Sequence, residues 1–208
     1  MPAVPSSLPL FAVPALCQAR ELRREEVPAL QAFFDANPEY FQTVNGRPAR
    51  PDEAAQEFDE LPPAHLGFGR RWMLGLFDAR GAAASGELLG LALVLSDFTA
   101  PGVWHVALFM LGSALHGRGL GARTYAALEA WMAGQGAQWS RLGVVQGNAK
   151  AERFWARQGY LEARQRPGVD TGGRVNTLRV CVKPLRPGAS LADYLRLVPR
   201  DHPASTQA

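Results

Sequence analysis

The chain has 208 residues, 47% of them hydrophobic and 20% charged. That is the size of one domain, for which roughly 100–200 residues are usual, and it excludes the weakly hydrophobic, highly charged composition that cannot bury a core. The formal charge of +3 comes from arginine, since the only lysines are Lys150 and Lys183, and without a run of about five or six like charges there is no electrostatic footprint for nucleic acid.

Cys17 and Cys181 are too few for a disulfide framework or a metal cluster and fit a reducing compartment. The longest apolar runs, residues 88–95 and 106–111, fall far short of the ~18 residues of a membrane span. The amino-terminal residues MPAVPSSLPLFAVP lack a basic start and are broken by prolines, unlike a secretory signal. The expectation is a cytoplasmic protein with no metal, no nucleic-acid partner and no membrane partner; a homodimer is left open.

In chain order, residues 1–15 read as a proline-rich extension, followed by a short strand over 16–20. A helix is expected over 21–36, with Leu22, Val27, Leu30, Phe33 and Phe34 apolar and Pro28 interrupting its first half. Turn signals fill 37–51 around Tyr40 and Phe41, and a second helix over 52–60 stops at Pro62 and Pro63. Residues 71–77 and 87–95 read as an antiparallel hairpin joined by the turn at 81–86. The next run, 103–111 (VWHVALFML), is almost continuously apolar and suits a central strand covered on both faces.

A glycine-rich turn at 116–121 then leads into a helix carrying Leu120, Ala127, Leu128 and Trp131 and ending at Gly134 and Gly136. A strand over 142–145, a helix over 149–158 and strands over 160–164 and 175–182 complete a domain spanning 16–184. Residues 185–208 read as a tail with one helical stretch at 189–197.

The turn His116-Gly117-Arg118-Gly119-Leu120-Gly121-Ala122 stands between a buried strand and a helix amino terminus. Unpaired N–H groups and a positive helix dipole suit a phosphate there, and glycine lets backbone approach the anion. An ordinary strand-to-helix turn is the plainer alternative. The same letters fit a dinucleotide fingerprint, but that needs a carboxylate about 20 positions on. Here the next strand ends at Val145 and is followed by Gln146 and Gly147, with no carboxylate. A P-loop is also excluded, because no lysine followed by Ser or Thr closes the loop.

A second marker lies downstream in Asn148, Ala151, the pair Phe154-Trp155 and Gly159-Tyr160. Together with Gly119 and Gly121, this arrangement resembles the GNAT superfamily of acetyl-CoA-dependent acyltransferases, whose signature is (Q/R)-x-x-G-x-(G/A); His116 replaces the leading Gln or Arg. The resemblance covers about residues 16–183. It implies an α/β (α+β) fold with a mixed, mostly antiparallel twisted sheet of about seven strands, splayed between the fourth and fifth, flanked by about four helices. Acetyl-CoA, as co-substrate, would be wedged into the V. Its arm would pair near Phe109, Met110 and Leu111, its pyrophosphate would rest on residues 117–122 with Arg118 and Arg123 adding charge, and Asn148, Ala151, Phe154 and Trp155 would line the other wall. Asn148 is equally read as a plain helix cap, and one aromatic of the pair as core. The family's strand order also separates Cys17 from Cys181, against a bond between them.

Acyl transfer to an amine needs a neutral nucleophile, a stabilised oxyanion and a route for protons. His105 is the first candidate base, as the one ionisable residue of its strand with an ordinary pKa near neutrality; a satisfied structural histidine is the alternative. Asp97 is the second, or else a loop carboxylate. Strand alternation would put His105, Ala107 and Phe109 on one face. The resemblance implies a tyrosine acid where Trp155 stands, and an indole N–H is no acid near pH 7. That leaves Tyr125, Tyr160, water or nothing, with a backbone N–H near residues 109–111 as oxyanion donor. Tyr40 and Phe41 would line the acceptor site or clasp the first two helices together. The expected activity is acetyl transfer to a primary amine of a small-molecule or peptide acceptor. A non-catalytic acyl-CoA-binding module is the competing reading, favoured by the missing tyrosine and the replaced Gln/Arg.

Overall fold

The computed structural model describes residues 9–79 and 86–206. Among them, eight strands form one sheet: β1 (Phe11–Val13), β2 (Cys17–Glu21), β3 (Arg71–Asp78), β4 (Leu88–Leu95), β5 (Val103–Leu111), β6 (Trp139–Val145), β7 (Leu161–Asp170) and β8 (Val175–Pro184). Their order is β1-β2-β3-β4-β5-β6-β8-β7, and only β5 and β6 run parallel. The helices are α1 (Val27–Asp35), α2 (Pro38–Val44), α3 (Glu53–Asp59), α4 (Leu120–Gly134), α5 (Ala149–Arg157) and α6 (Leu191–Leu197). None is long and apolar enough to cross a membrane. The expected turn at 81–86 lies outside the described residues apart from Gly86.

The helix expected over 21–36 starts only at Val27, because Pro28 then falls in the first turn, where a missing N–H costs nothing. Pro38 does the same for α2, so residues 38–44 of the segment read as turn are helical. Segments read as extension and tail join the domain. Residues 11–13, assigned to the extension, add strand β1, held by Phe11 against the Trp131 ring at 6.1 Å. Residues 191–197, assigned to the tail, lay Tyr194 and neighbouring Val198 on Val103, Trp139 and Val182. The domain edges expected at 16 and 184 therefore cut through packed structure. The thiols of Cys17 and Cys181 are buried and free.

Two features of β5 shape the cleft. Leu93 pairs with Leu108 but Val94 pairs with Val106, so Ala107 is an extra residue. Such a bulge reverses the facing of everything beyond it. Trp104 and Val106 pack with Tyr125 and Leu128 of α4, whereas Leu108 and Met110 pack with Leu30 and Phe33 of α1. Phe109 joins the α4 side, so the uniform alternation expected for His105, Ala107 and Phe109 does not hold. Second, β5 pairs with β6 only from Val103 opposite Trp139 to Val106 opposite Leu142. Beyond that β5 continues along β4 and β6 along β8, and the sheet opens as a V between them.

At the closed end of the V lies a buried ion pair. Arg141 of β6 donates from Nε and Nη2 to Asp201, at 2.7 and 3.0 Å, and the Tyr194 hydroxyl donates to the same carboxylate at 2.6 Å. Burial alone would raise the Asp201 pKa, but the bonds and charge of Arg141 prevail and hold it below the usual carboxylate value. Removing one partner of such a pair strands the other charge. Asp201→Ala is expected to cost about 3–5 kcal/mol in urea denaturation at neutral pH, and a loss under about 0.5 kcal/mol would contradict this reading. Because the folded pKa is the lower one, this stabilisation is present above the unfolded value of about 3.9 and fades as pH falls through the folded one.

Candidate active site

Two cavities open from the V, of about 560 and 790 Å³, and meet at Tyr40, Phe109, Asn148, Ala151 and Trp155. The smaller is bordered by the glycine turn. Gly117 and Gly119 have φ of +78° and +72°, with open space where a Cβ would point, a conformation that favours glycine. The backbone N–H groups of residues 117–122 have no backbone acceptor among the described residues and stand at the positive end of the 15-residue α4.

Positive charge comes from the opposite wall, where Lys150, Arg153 and Arg157 of α5 line the cavity. Arg118 is exposed and, like Leu120, is absent from the lining. Arg123 donates to the Pro14 carbonyl at 3.1 Å and ties down the β1–β2 turn instead of facing the cavity. His116 joins the two walls: its Nε2 lies 3.0 Å from the Leu111 carbonyl and its Nδ1 2.7 Å from Lys150 Nζ. An ammonium only donates, so Nδ1 is the acceptor and Nε2 carries the proton.

This cradle fits a pyrophosphate. The unpaired β5 edge at 107–111 and the β6 edge at 143–145 fit the amides of a coenzyme A arm.

The larger cavity has the β5 residues His105 and Ala107 at its floor. Glu53, Glu57 and Glu60 contribute its α3 side, and Arg141, Arg166 and Arg200 lie on the other. Glu53 is engaged by Arg47 at 2.8 Å and Arg50 at 3.1 Å. The Glu57 carboxylate has no hydrogen bond or ion pair among the described residues; burial and neighbouring Glu60 push its pKa up. Tyr40 borders both cavities, its hydroxyl pKa raised by burial and then by Glu57. Phe41 also reaches the larger cavity but is only 3% exposed and meets Phe34 edge-on at 4.8 Å. The pair thus divides its work, with Phe41 as clasp and Tyr40 as wall.

His105 stacks on Phe98 at 4.7 Å, with Nδ1 at 3.1 Å from the Arg141 carbonyl and 3.3 Å from its Nη1. Burial and the Arg141 charge lower its pKa to about 3, so the ring is neutral at physiological pH. Asp97 borders neither cavity. It has φ +48°, and its carboxylate accepts the Gly102 N–H at 2.7 Å, which makes it a turn residue.

Asn148 caps α5 by accepting the Ala151 N–H at 3.2 Å while also facing both cavities. Phe154 and Trp155 join Phe109 in one aromatic cluster. Tyr125 and Tyr160 border neither cavity; their buried hydroxyls bond to each other and to Ser140, which removes them as proton donors to the cleft. The α3 glutamates had a local signal, since Glu53 and Glu57 fall at i and i+4 on one face of the helix. Arg141 and Asp201, 60 residues apart, had none.

The model of the Acetyltransferase (GNAT) family matches residues 30–160, more than half of the chain. This chain belongs to that family. The fold agrees with solved acetyltransferases. One from Thermus thermophilus is 22% identical over 81% of this chain and 97% of its own, with TM-score 0.60. The ribosomal-protein-S5-alanine acetyltransferase from Vibrio fischeri is 16% identical over 86% and 99%, with TM-score 0.63. The spermidine N-acetyltransferase from Vibrio cholerae, solved with CoA and spermine, is 13% identical over 82% and 96%, with TM-score 0.61. No curated protein sequence matches the chain.

As a GNAT acetyltransferase, the protein transfers an acyl group from acyl-CoA to an amine. If the α5 cations hold phosphate here, Lys150→Ala and Arg153→Ala should each raise the KM for acetyl-CoA about fivefold, as expected for a lost charge-assisted contact. The effect should shrink as salt rises, whereas Arg123→Ala leaves that KM unchanged. Steady-state kinetics at two ionic strengths decide it; an effect confined to Arg123→Ala would contradict the placing of that charge on α5.

Proposed function

We propose that this acetyltransferase acetylates the primary amine of a small acceptor that enters the larger cavity while acetyl-CoA occupies the smaller. The observation that carries this is the meeting of the two cavities at Tyr40, Phe109, Asn148, Ala151 and Trp155, beside the bulged Ala107. Residues 117–122 would hold the pyrophosphate, Lys150, Arg153 and Arg157 the remaining phosphate charge, and the free edge of β5 the arm. When bound, acetyl-CoA supplies an activated thioester. The free β5 edge supplies the backbone N–H that stabilises an oxyanion.

Proton transfer falls to the α3 side. A base works best with a pKa near the operating pH. His105, held near 3, offers a lone pair that orients the amine but holds a proton poorly. Glu57, shifted upward, is better matched. The amine nitrogen forms the new C–N bond as the C–S bond breaks, the electron pair leaves on sulfur, and the amine proton passes to Glu57 and on to solvent. Trp155 cannot protonate the departing thiolate. The Tyr40 hydroxyl, at the junction, supplies a hydrogen bond, and solvent supplies the proton.

Titration with acetyl-CoA tests the donor side: one-to-one binding is expected, and no binding at millimolar concentration refutes the reading. For the base, Glu57→Gln should lower kcat/KM about 100-fold, the lower range for a lost general base, and flatten the acidic limb of the pH profile. His105→Ala should lower the rate without moving that limb. Should the limb vanish in His105→Ala and persist in Glu57→Gln, the two roles are reversed.

A further inference from the structure

The acceptor cavity carries opposite charge on its two sides, and on each side one group has no side-chain hydrogen bond or ion pair among the described residues. On α3 it is Glu57. Across from it, Arg141, Arg166 and Arg200 border the cavity, and Arg164 donates to the Arg200 carbonyl behind them. Among the described residues, the carboxylate acting on Arg166 is Asp201, and its oxygens are engaged elsewhere. It accepts two bonds from Arg141 and one from Tyr194.

Arg200 is 9% exposed. Arg166, half-buried on β7, has no hydrogen bond or ion pair among the described residues; its electrostatic neighbours are Arg141, Arg164 and Asp201. His105 is neutral, Phe98 offers only its ring to Arg141 at 5.3 Å, and Asp170 turns its carboxylate to the N–H groups of Gly172 and Gly173. A half-buried guanidinium such as that of Arg166, held without an ion pair among the described residues, costs free energy that a bound anion returns. The guanidinium fork matches a carboxylate or phosphonate.

We propose that the acceptor is an amine that also bears an anionic group, a carboxylate or phosphonate, seated on Arg166 beside Arg200, with its amine at Glu57 and Tyr40. This rests on the acyl-transfer reading above. It narrows the acceptor from amines in general to amino acids and their phosphonate counterparts. It also gives the two charged sides one purpose, since each meets the opposite charge of a single zwitterion.

The test is release of the CoA thiol from acetyl-CoA with α- and ω-amino acids and aminoalkylphosphonates, each paired with the amine of the same skeleton without its acid group. The acid-bearing members should lead in kcat/KM by about tenfold or more, as for a charge-assisted contact. Arg166→Gln should bring that ratio to about one, and Arg166→Lys should restore part of it, as one charge without the fork. Equal or better use of the neutral amines by the native chain, or a ratio unchanged in Arg166→Gln, overturns the proposal.

Thermal stabilisation by the same compounds is read alongside. An acid-bearing amine should raise Tm in the native chain and not in Arg166→Gln, and a panel with neither turnover nor stabilisation also overturns it. If acetyl-CoA itself does not bind, the acyl-transfer reading fails, while the Tm difference still reads the arginine site.

Discussion

The parting of two parallel strands governs this molecule. β5 and β6 pair for only four residues each before diverging, and each then depends on its outer neighbour, β4 or β8, for hydrogen bonds. Backbone groups left without partners must find water or a ligand. A sheet that opens this way provides a linear array of donors and acceptors in a cleft walled by side chains. The bulge at Ala107 sits one residue beyond the last pair and turns Phe109 towards α5, where it closes the aromatic junction between the cavities. The glycine turn then starts α4 at the mouth of the same cleft.

Charge is distributed to suit that opening. At the closed end, the Arg141–Asp201 pair clamps β6 to the carboxy-terminal segment, and burial together with the pair's cation keeps the neighbouring imidazole neutral. A buried pair of this kind contributes little net stability against an apolar replacement, yet it is costly to break. Its value here lies in what it fixes: a neutral His105, a floor for the larger cavity, and a carboxylate already spent, so that Arg166 stays available. On the other side, the α3 glutamates separate into Glu53, engaged by arginines, and Glu57, which is not. On the coenzyme side, the cations come from α5, across the cleft from the glycine turn, so both walls of the V face the phosphates.

Much of this was legible in the sequence because it is local. The apolar run of the central strand, the glycines before α4, Asn148 at the cap of α5 and the Phe154-Trp155 pair each report on a few neighbouring residues, and together they carried the family and the cleft. Tertiary packing decided the rest. Pro28 read as an interruption and the segment holding Pro38 as turn, yet both prolines proved to be first-turn residues. The bulge at Ala107 exists only because β4 pairs across it, so single-strand alternation could not reveal it. Asp97 looked chemical at a strand end, and a turn claimed it. Arg141, Arg166 and Asp201 are joined by the return of the chain at residue 201, and no spacing announces that.

The central claim is that the parted edges of β5 and β6 receive the coenzyme. Amide hydrogen exchange of the native chain, with and without saturating acetyl-CoA, tests it most directly, because it reads those backbone groups themselves. The account predicts new protection at residues 107–111 and 117–122, and little change in β1, β7 or α6. Binding with protection elsewhere, leaving 107–111 and 117–122 exchanging as in the free protein, would contradict it.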